Sequence, residues 1–374
     1  MLRKLAAKVK RELISVIVEK LKRLATGARV VARATSHYRA NPVRILLRVI
    51  SLYHKKGFEP EEAARLGLLA PHLSEKDLSR YVSKRRLEEL QISINPTTWT
   101  FLTEDKSIFY TYCAALGLPI PTLYAILFQR TPGWSYSGLS PKCRKDWVQF
   151  FNHELPSEFV SKPARGVYGH GVRIFCRSNE GFLDAFGTPH KAEDVYEAIL
   201  SDRQYNTFVI QERLTSHPEL VRLSDTPYLQ TLRIVTFVGR DGVCRILDAG
   251  FKVIVGQNVH DNIQIGRTGN LAASVSLDDG ILEQARSITP EGFAVHSVSV
   301  HPKTGVPFEG FRLPLWDEAC QLARDAAHKF LPIRTVGWDI AVTPKGPVIA
   351  EGNSYWDPHN LSGKTRDMMD ELSR

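Results

Sequence analysis

Residues 336–353, VGWDIAVTPKGPVIAEGN, decide the fold because they read as a β-hairpin that carries acidic side chains. Two apolar runs, Val336–Thr343 and Pro347–Gly352, are separated by Pro-Lys-Gly at 344–346. Proline suits the second position of a type I turn, and glycine supplies the positive φ that closes a three-residue loop. We therefore expect the last residue of the first run to pair with the first residue of the second.

This register places Asp339 opposite Glu351, with Asn353 on the same face two residues later. Facing carboxylates repel each other unless a cation lies between them, and carboxylate and amide oxygens suit Mg²⁺. The alternative is a solvent-exposed acidic face. It is weakened by apolar neighbours that mark the hairpin as a core element: Trp338, Ile340, Val348 and Ile349. The pattern predicts that the three polar residues hold one or two magnesium ions.

Residues 159–175, FVSKPARGVYGHGVRIF, provide a candidate phosphate site. Two short apolar strands flank a loop that holds one lysine and three glycines: Lys162, Gly166, Gly169 and Gly171. Glycines let backbone N–H groups approach phosphate oxygens, and the lysine adds positive charge. The spacing matches neither a Walker loop nor a Rossmann fingerprint. On this segment alone, a lid over phosphates and an ordinary flexible hairpin both stay open.

Further motifs follow in a fixed order along the chain. They are Asn95-Pro96, Trp99, Asp105-Lys106, Leu118-Pro119-Ile120-Pro121, Phe208–Leu214, Thr231–Val235, Asp261-Asn262, His301-Pro302, Gly337-Trp338-Asp339 and Glu351-Gly352-Asn353. With the lid, this series resembles the ATP-grasp superfamily over residues 57–362, and within it the sugar-transfer-associated branch, which is linked with surface polysaccharide synthesis. The resemblance implies an α+β ATP-grasp fold, in which two α+β subdomains clasp ATP. The charge and the apolar pattern of the first residues add a basic helical N-terminal region before this fold.

The resemblance also implies roles for individual residues. Those expected to contact ATP are Lys106 and Lys162 at the phosphates, Gly166, Gly169 and Gly171 in the lid, and Gln211, Glu212 and Leu214 at the adenine. The candidate catalytic residues are Arg233, near the γ-phosphate, and Asn262, near the metals and an acyl phosphate. The magnesium ligands correspond to Asp339, Glu351 and Asn353.

The acceptor region departs from the pattern of the relatives. They often show a basic residue on the strand before Asp-Asn and paired glycines just after it, whereas this chain has Lys252 on that strand and the sequence IGRTGN at 265–270. Lys252 and Arg267 are therefore the candidate substrate residues.

Independently of the resemblance, residues 231–238 alternate as a half-buried strand should. Arg233 then projects from a face that is otherwise apolar or weakly polar. Two interpretations stay open for it: an ion pair with a carboxylate such as Asp248 on the next strand, or a contact to a ligand phosphate.

Charge is distributed unevenly along the chain. The net charge is +9, but residues 1–58 hold 15 Lys and Arg against Glu12 and Glu19, a local +13. The remainder holds 34 basic and 38 acidic residues, so a pervasively basic surface for nucleic acid is not expected there. Five cysteines without a CxxC pair favour a reducing compartment: Cys113, Cys143, Cys176, Cys244 and Cys320.

Residues 1–24 form an amphipathic pattern with an apolar stripe flanked by Lys and Arg. Such a helix suits an anionic membrane surface, although it is too charged to span a bilayer. It can equally pack against the catalytic body, bind a groove on a partner protein, or be a cleaved presequence. We expect a cytoplasmic protein, with peripheral association at the inner face of the membrane as an open option.

The expected organisation has five parts. They are a basic amphipathic arm (1–58), a helical region with short helices at 59–69 and 74–90 (59–105), a lid subdomain with the glycine-rich loop (106–205), a core subdomain with the magnesium site (206–362) and a polar tail (363–374).

The resemblance implies an ATP- and Mg²⁺-dependent carboxylate–amine ligase. In this reaction a small or sugar-linked carboxylic acid is activated as an acyl phosphate, and an amine then attacks it. A role in polysaccharide or sugar modification follows by analogy. Two alternatives stay open: an ATP-grasp kinase that phosphorylates a hydroxyl group, and a non-catalytic nucleotide-binding scaffold at the membrane.

Overall fold

The computed structural model describes residues 24–166, 169–263, 266–358 and 365–373. The described chain forms two compact units. The first takes in the described residues up to Glu89, with Ser287–His296 and the described part of Asp357–Asp370. The second takes in the described parts of Leu90–Arg286, together with Ser297–Trp356 and the described part of Glu371–Arg374. The predicted arm over residues 1–24 lies outside the described residues except for its last position.

The helices are α1 (residues 24–38), α2 (Pro42–Ser51), α3 (Pro60–Arg65), α4 (Glu75–Leu78), α5 (Lys84–Ile94), α6 (Phe101–Glu104), α7 (Lys106–Ala115), α8 (Arg144–His153), α9 (Ala192–Leu200), α10 (Pro218–Ser224), α11 (Trp316–Lys329) and α12 (Thr365–Leu372). A π-helical turn, Leu52–Lys56, follows α2. Among the described residues, no helix is both long enough and apolar enough to cross a bilayer.

The first unit is helical and has its own apolar core. The buried members of this core include Ile45 and Val49 of α2, Phe58, Leu68 and Leu69. The side chain of Asn41 accepts a hydrogen bond from the backbone N–H of Val43 and so caps α2, which begins at a proline that lacks an N–H. The predicted helical N-terminal region is confirmed in the described part.

The single helix predicted over 74–90 is wrong, since the segment forms two helices, α4 and α5. The chain between them is held by tertiary hydrogen bonds. Ser83 Oγ donates to the carbonyl of Lys56 (2.8 Å), and the backbone N–H of Lys84 donates to Glu62 Oε1 (2.9 Å). These partners lie more than twenty residues away in sequence, so helical periodicity could not reveal the break.

Two seven-stranded antiparallel sheets lie mostly in the second unit. The strands are β1 (Leu123–Phe128), β2 (Trp134–Ser135), β3 (Glu158–Pro163), β4 (Arg173–Ser178), β5 (Gly181–Asp184), β6 (Pro189–His190), β7 (Thr207–Glu212), β8 (Thr231–Val238), β9 (Cys244–Val253), β10 (Leu271–Val275), β11 (Leu282–Ile288), β12 (Val295–Val298), β13 (Thr335–Thr343) and β14 (Gly346–Asn353). The first sheet has the order β2-β1-β7-β3-β4-β5-β6, and the second β12-β11-β10-β9-β8-β13-β14.

Each sheet has a core of its own. Side chains of α8 and α9, such as Trp147 and Val195, pack with Phe159 and Phe208 of the first sheet. Helix α11 packs on the second sheet, where β13 is buried along its whole length. The predicted α+β class is confirmed. The five predicted domain limits stay predictions; β7, just after the limit proposed at 205, is hydrogen-bonded within the first sheet.

The hairpin of β13 and β14 has the predicted pairing at its open end but not at its turn. Asp339 pairs with Glu351, as predicted, while Thr343 pairs with Gly346, so the loop has two residues and the expected three-residue loop is wrong. The register shifts between Asp339 and Ile340, where Ala350 has no partner across the hairpin. This β-bulge adds the residue that the shorter turn leaves out.

Asn95 anchors both strands of this hairpin. Its side-chain nitrogen donates to the carbonyls of Thr335 (2.9 Å) and Ser354 (3.2 Å), and its oxygen accepts from the N–H groups of Arg334 (2.9 Å) and Thr335 (3.0 Å). The residue is almost fully buried. The start of β13 and the chain after β14 are therefore fixed by one side chain.

Candidate active site

Asp339 lies at the centre of a buried ion-pair group on the second sheet. It pairs with Arg233 of β8 on one side and with Glu351 of β14 on the other. Arg233 donates to both carboxylate oxygens (2.6 and 3.0 Å), and Lys252 of β9 donates to Oδ1 (2.8 Å). Burial acts to raise the pKa of Asp339, but the charges of Arg233 and Lys252 outweigh burial and hold this pKa well below its ordinary value.

Glu351 is bound by the first residue of α7. Lys106 Nζ donates to Glu351 Oε1 (2.9 Å) and to the carbonyl of Gly166 in the glycine-rich loop (3.0 Å). Asp105 caps α7 by accepting from the N–H of Ser107 (3.0 Å), which fixes where the helix begins. Lys106 thus connects α7, the β13–β14 hairpin and the glycine-rich loop.

Lys162 is held by Tyr110, a residue that sequence reasoning missed. Lys162 Nζ donates to the Tyr110 hydroxyl (2.6 Å), which in turn donates to the carbonyl of Ala350 at the β-bulge (2.6 Å). Burial and the nearby charge of Lys106 lower the pKa of Lys162 to about 7. The sequence contains one indication of this role. Tyr110 lies four residues after Lys106 and therefore shares its helix face.

Backbone conformation and close packing explain why three positions of the lid are glycine. Gly169 and Gly171 adopt φ of +74° and +75°, a region that L side chains rarely enter. A Cβ atom at Gly171 would lie 2.7 Å from Pro163 Cγ, and one at Gly169 would lie 3.0 Å from the His260 ring. At Gly166 a Cβ would lie 3.1 Å from Pro163 Cβ. Val167 and Tyr168, between them, lie outside the described residues.

The sequence model of the sugar-transfer associated ATP-grasp family matches residues 85–361. This chain belongs to that family. No curated protein is similar enough in sequence to count as a relative. The lid, the cationic residues and the hairpin described above all lie within the matched segment.

Several solved structures are similar to this chain. D-cycloserine synthetase DcsG is 16% identical with a TM-score of 0.42, over 78% of this chain and 80% of that one. The ADP complex of PurK, N5-carboxyaminoimidazole ribonucleotide synthetase, is 14% identical (TM-score 0.39) over 75% of this chain and 52% of that one. D-alanine–D-alanine ligase from Bacillus anthracis, complexed with ATP, is 13% identical (TM-score 0.37) over 73% and 67%. With identities of 16% or less and TM-scores below 0.5, nothing about the role of this chain follows from these similarities.

The predicted adenine-binding residues of this ATP-grasp protein lie at the end of β7 and just after it. Gln211 is buried, and its Oε1 atom has no hydrogen-bond partner among the described residues. The Glu212 carboxylate accepts from the N–H (3.1 Å) and hydroxyl (3.0 Å) of Thr122, so it ties β7 to the residue before β1. Leu214 lies in the loop after the strand. These three positions keep their predicted roles as predictions.

Asn270, a residue to which sequence reasoning gave no role, organises the chain between Val255 and Asn262 of this ATP-grasp protein. Its side chain donates to the carbonyls of His260 and Asn262 (both 2.9 Å) and accepts from the N–H of Val255 (2.9 Å). Asn262 is half-buried and Arg267 is exposed. Of the two candidate substrate residues, the structure brings Lys252 into the ion-pair group and places Arg267 at the surface.

Asp261, beside Asn262, is a second buried carboxyl near this group. Its Oδ2 accepts from the N–H (2.8 Å) and hydroxyl (2.5 Å) of Thr231 at the start of β8. Burial raises its pKa above the ordinary value, and the charge of Lys252 opposes this effect. Asp261 was part of the family pattern but was given no role of its own.

The donor set of the ATP-grasp hairpin fits magnesium chemically. Asp339 and Glu351 face each other, and Asn353 follows on the same strand, where its side-chain nitrogen contacts the carbonyl of Gly337 at 3.4 Å. Hard oxygen ligands of this kind suit Mg²⁺. Within the described ranges there is no group of three or more His, Cys, Asp or Glu residues that could hold a metal. The predicted set of three includes the amide of Asn353.

Proposed function

We propose that this protein is an ATP- and Mg²⁺-dependent ligase that joins a carboxylic acid to an amine through an acyl phosphate. The observation that carries the proposal is the group of four basic side chains around two facing carboxylates: Lys106, Lys162, Arg233 and Lys252 around Asp339 and Glu351. A group with this excess of positive charge suits a polyphosphate and the charge that develops on its transfer.

Hydrogen bonds to other protein groups already hold these basic side chains in place. Lys106 is held by Glu351 and the carbonyl of Gly166, and Lys162 by Tyr110. We infer that phosphate oxygens exchange for some of these partners, with the lid N–H groups covering the phosphates. A side chain that is already oriented loses less conformational entropy when a ligand binds. The unfilled acceptor of Gln211 fits an amino group of adenine.

Magnesium, when bound by Asp339, Glu351 and Asn353, would neutralise phosphate charge and polarise the bond to the transferred phosphoryl group. This proposal asks Glu351 to exchange Lys106 for the metal and Asp339 to share Arg233 and Lys252 with it. Lys106 would keep the carbonyl of Gly166 as a partner after this exchange, so Glu351 is the carboxylate that can be released at lower cost.

The proposed chemistry has two steps. A carboxylate oxygen of the acid attacks the γ-phosphorus, the bond to the β-phosphate oxygen breaks, and ADP leaves. The amine then attacks the carbonyl carbon of the acyl phosphate, loses a proton and expels phosphate, which leaves an amide. Arg233 stabilises the transferred charge, and Asn262 lies in the region where the acyl phosphate would form. A closed lid excludes the water that would hydrolyse this intermediate.

The family description supports a sugar-linked substrate. We propose that the acid or the amine is carried on a sugar and that the reaction serves the modification of a surface polysaccharide. We place the reaction in the cytoplasm, where ATP is available and the scattered cysteines would stay reduced. The partners are then a carboxylic acid and an amine, and nucleic acid has no part.

The test combines hydroxylamine trapping with ADP release on a panel of uronic acids, other sugar acids and amines. A ligase forms a hydroxamate only with ATP and the correct acid, and its steady ADP release requires both acid and amine. The Glu351→Gln variant should lose this activity, while Glu318→Gln, an exposed glutamate, should keep it. A phosphorylated sugar hydroxyl in the product would instead show a kinase. ATP binding without turnover across the panel would favour the scaffold.

A further inference from the structure

Helix α2 exposes an aliphatic face in addition to the face it buries. Ile45 and Val49 enter the core of the first unit. Four other large side chains of the same helix are exposed: Val43 (60%), Leu46 (45%), Leu47 (61%) and Ile50 (45%). Their spacing of three, four and seven residues places them along one side of the helix. We name these four residues the α2 face.

The α2 face belongs to a well-fixed helix and not to a fraying end. Asn41 caps its first turn, and Arg48 donates to the carbonyls of Leu68 (2.8 Å) and Leu73 (2.9 Å). Single exposed aliphatic side chains are common on proteins, but four neighbours on one helix side mark an interaction site. The face therefore requires an apolar partner.

The surrounding charge indicates which partner. Residues 24–58 contain seven Lys and Arg and no Asp or Glu. Several of these cations are exposed: Arg29, Arg33, Arg39, Arg44 and Lys55. An apolar strip within a purely basic segment complements a bilayer surface with anionic headgroups. Lys56 is paired with Glu75 (3.6 Å), and the remaining excess of positive charge opposes docking of a second copy of this chain through this face, because like charges would meet.

We propose that the α2 face docks on an anionic lipid bilayer. Leu46 and Leu47 insert among the acyl chains near the headgroups, and the basic residues of 24–58 stay at the level of the lipid phosphates. This site is separate from residues 1–24, whose contact with lipid remains a prediction. It is also independent of ligase chemistry, so a failure of either proposal leaves the other standing.

The test measures sedimentation of the full chain with vesicles of phosphatidylcholine alone or mixed with phosphatidylglycerol. The Leu46→Gln/Leu47→Gln variant should bind the mixed vesicles at least about tenfold more weakly than wild type, because two inserted aliphatic side chains are lost. Leu139→Gln/Leu277→Gln, two exposed leucines elsewhere in the chain, is the matched control and should bind like wild type. Arg39→Gln/Lys55→Gln should reduce the preference for the mixed vesicles.

A second measurement covers the case in which a variant folds poorly. The Leu47→Trp variant should show a shift of fluorescence emission to shorter wavelength on mixed vesicles, and Leu139→Trp should not. Equal binding of the α2 variant and wild type overturns the proposal, as does equal binding of wild type to neutral and mixed vesicles. A dimer that the α2 variant disrupts, without any effect on vesicle binding, would assign the face to a second copy.

Discussion

Lys162 illustrates how one side chain can be prepared for a ligand by its surroundings. Its amine is held by the Tyr110 hydroxyl, which rests on the carbonyl of Ala350. The lysine also lies 5.0 Å from the centre of the Tyr110 ring. Removing the tyrosine hydroxyl would therefore free the amine and leave the Ala350 carbonyl without this donor, while the ring would keep its place in the core.

We expect Tyr110→Phe to raise the KM for ATP several-fold and to cost about 1–3 kcal/mol of folding stability. Tyr112→Phe is the control, because it removes a tyrosine hydroxyl from the same helix that donates to the carbonyl of Lys329. Steady-state ADP release and urea unfolding measure the two effects. An equal change of KM in both variants would contradict the positioning role of Tyr110.

The lowered pKa of Lys162 predicts a reactive amine near neutral pH. Its charge is present below about pH 7 and lost above it, so acylation of the neutral amine should rise through this range. Competitive labelling followed by mass spectrometry checks this, with the exposed amine of Lys345 as reference. Bound ATP should protect Lys162, because phosphate oxygens would stabilise the charged form. Parallel labelling curves for the two lysines would refute the prediction.

At the scale of the element, the hairpin shows what sequence patterns could and could not predict. The opposition of Asp339 and Glu351 followed from two apolar runs around a turn. The turn was assigned one residue too many, and the bulge at Ala350 compensates for that difference. Alternation of apolar residues cannot reveal such a bulge, because its position depends on what packs against the strand. Here Tyr110 hydrogen-bonds to the bulged residue.

Asn95 supports both strands of this hairpin, and its replacement should lower the free energy of unfolding. Asn95→Ala removes four hydrogen bonds and leaves buried backbone groups without partners, so we expect a loss of about 2–4 kcal/mol in the free energy of unfolding. Asn152→Ala, at an exposed position of α8, should change stability by less than about 0.5 kcal/mol. Urea unfolding of both variants decides the matter, and similar midpoints would show that the hairpin is held by other contacts.

At the scale of the whole molecule, the sequence predicted the fold class and the family, but it did not predict the side-chain contacts of the site. The α+β class and the family follow from ordered motifs, and the helical N-terminal part follows from its basic, amphipathic pattern. The partners of Arg233 and Lys252 did not, since both cations converge on Asp339 from neighbouring strands. The same convergence agrees with the interpretation of Arg233 as a carboxylate partner, and Asp339 is a carboxylate that it contacts. Which residues form such ion pairs depends on where their side chains point within the sheet. Strand register alone identifies only the possible partners.

Nucleotide binding should stabilise the molecule as a whole in a metal-dependent way. ATP at about a hundred times its dissociation constant should add about 2.7 kcal/mol to the free energy of unfolding. We expect this gain to require Mg²⁺ and to shrink strongly in Glu351→Gln, but not in Glu318→Gln. Thermal unfolding with and without EDTA measures it. A Mg²⁺-dependent shift of the same size in Glu351→Gln would place the metal elsewhere.

The position of Asn95 before Pro96 has a consequence for the chemical ageing of the protein. Asparagine deamidates in proteins mainly when the backbone nitrogen of the following residue attacks the side-chain amide. Proline has no N–H there, so this route is closed at residue 95. The amide that holds both strands of the hairpin is thereby protected from conversion to a carboxylate, and the hairpin should keep its support over long storage.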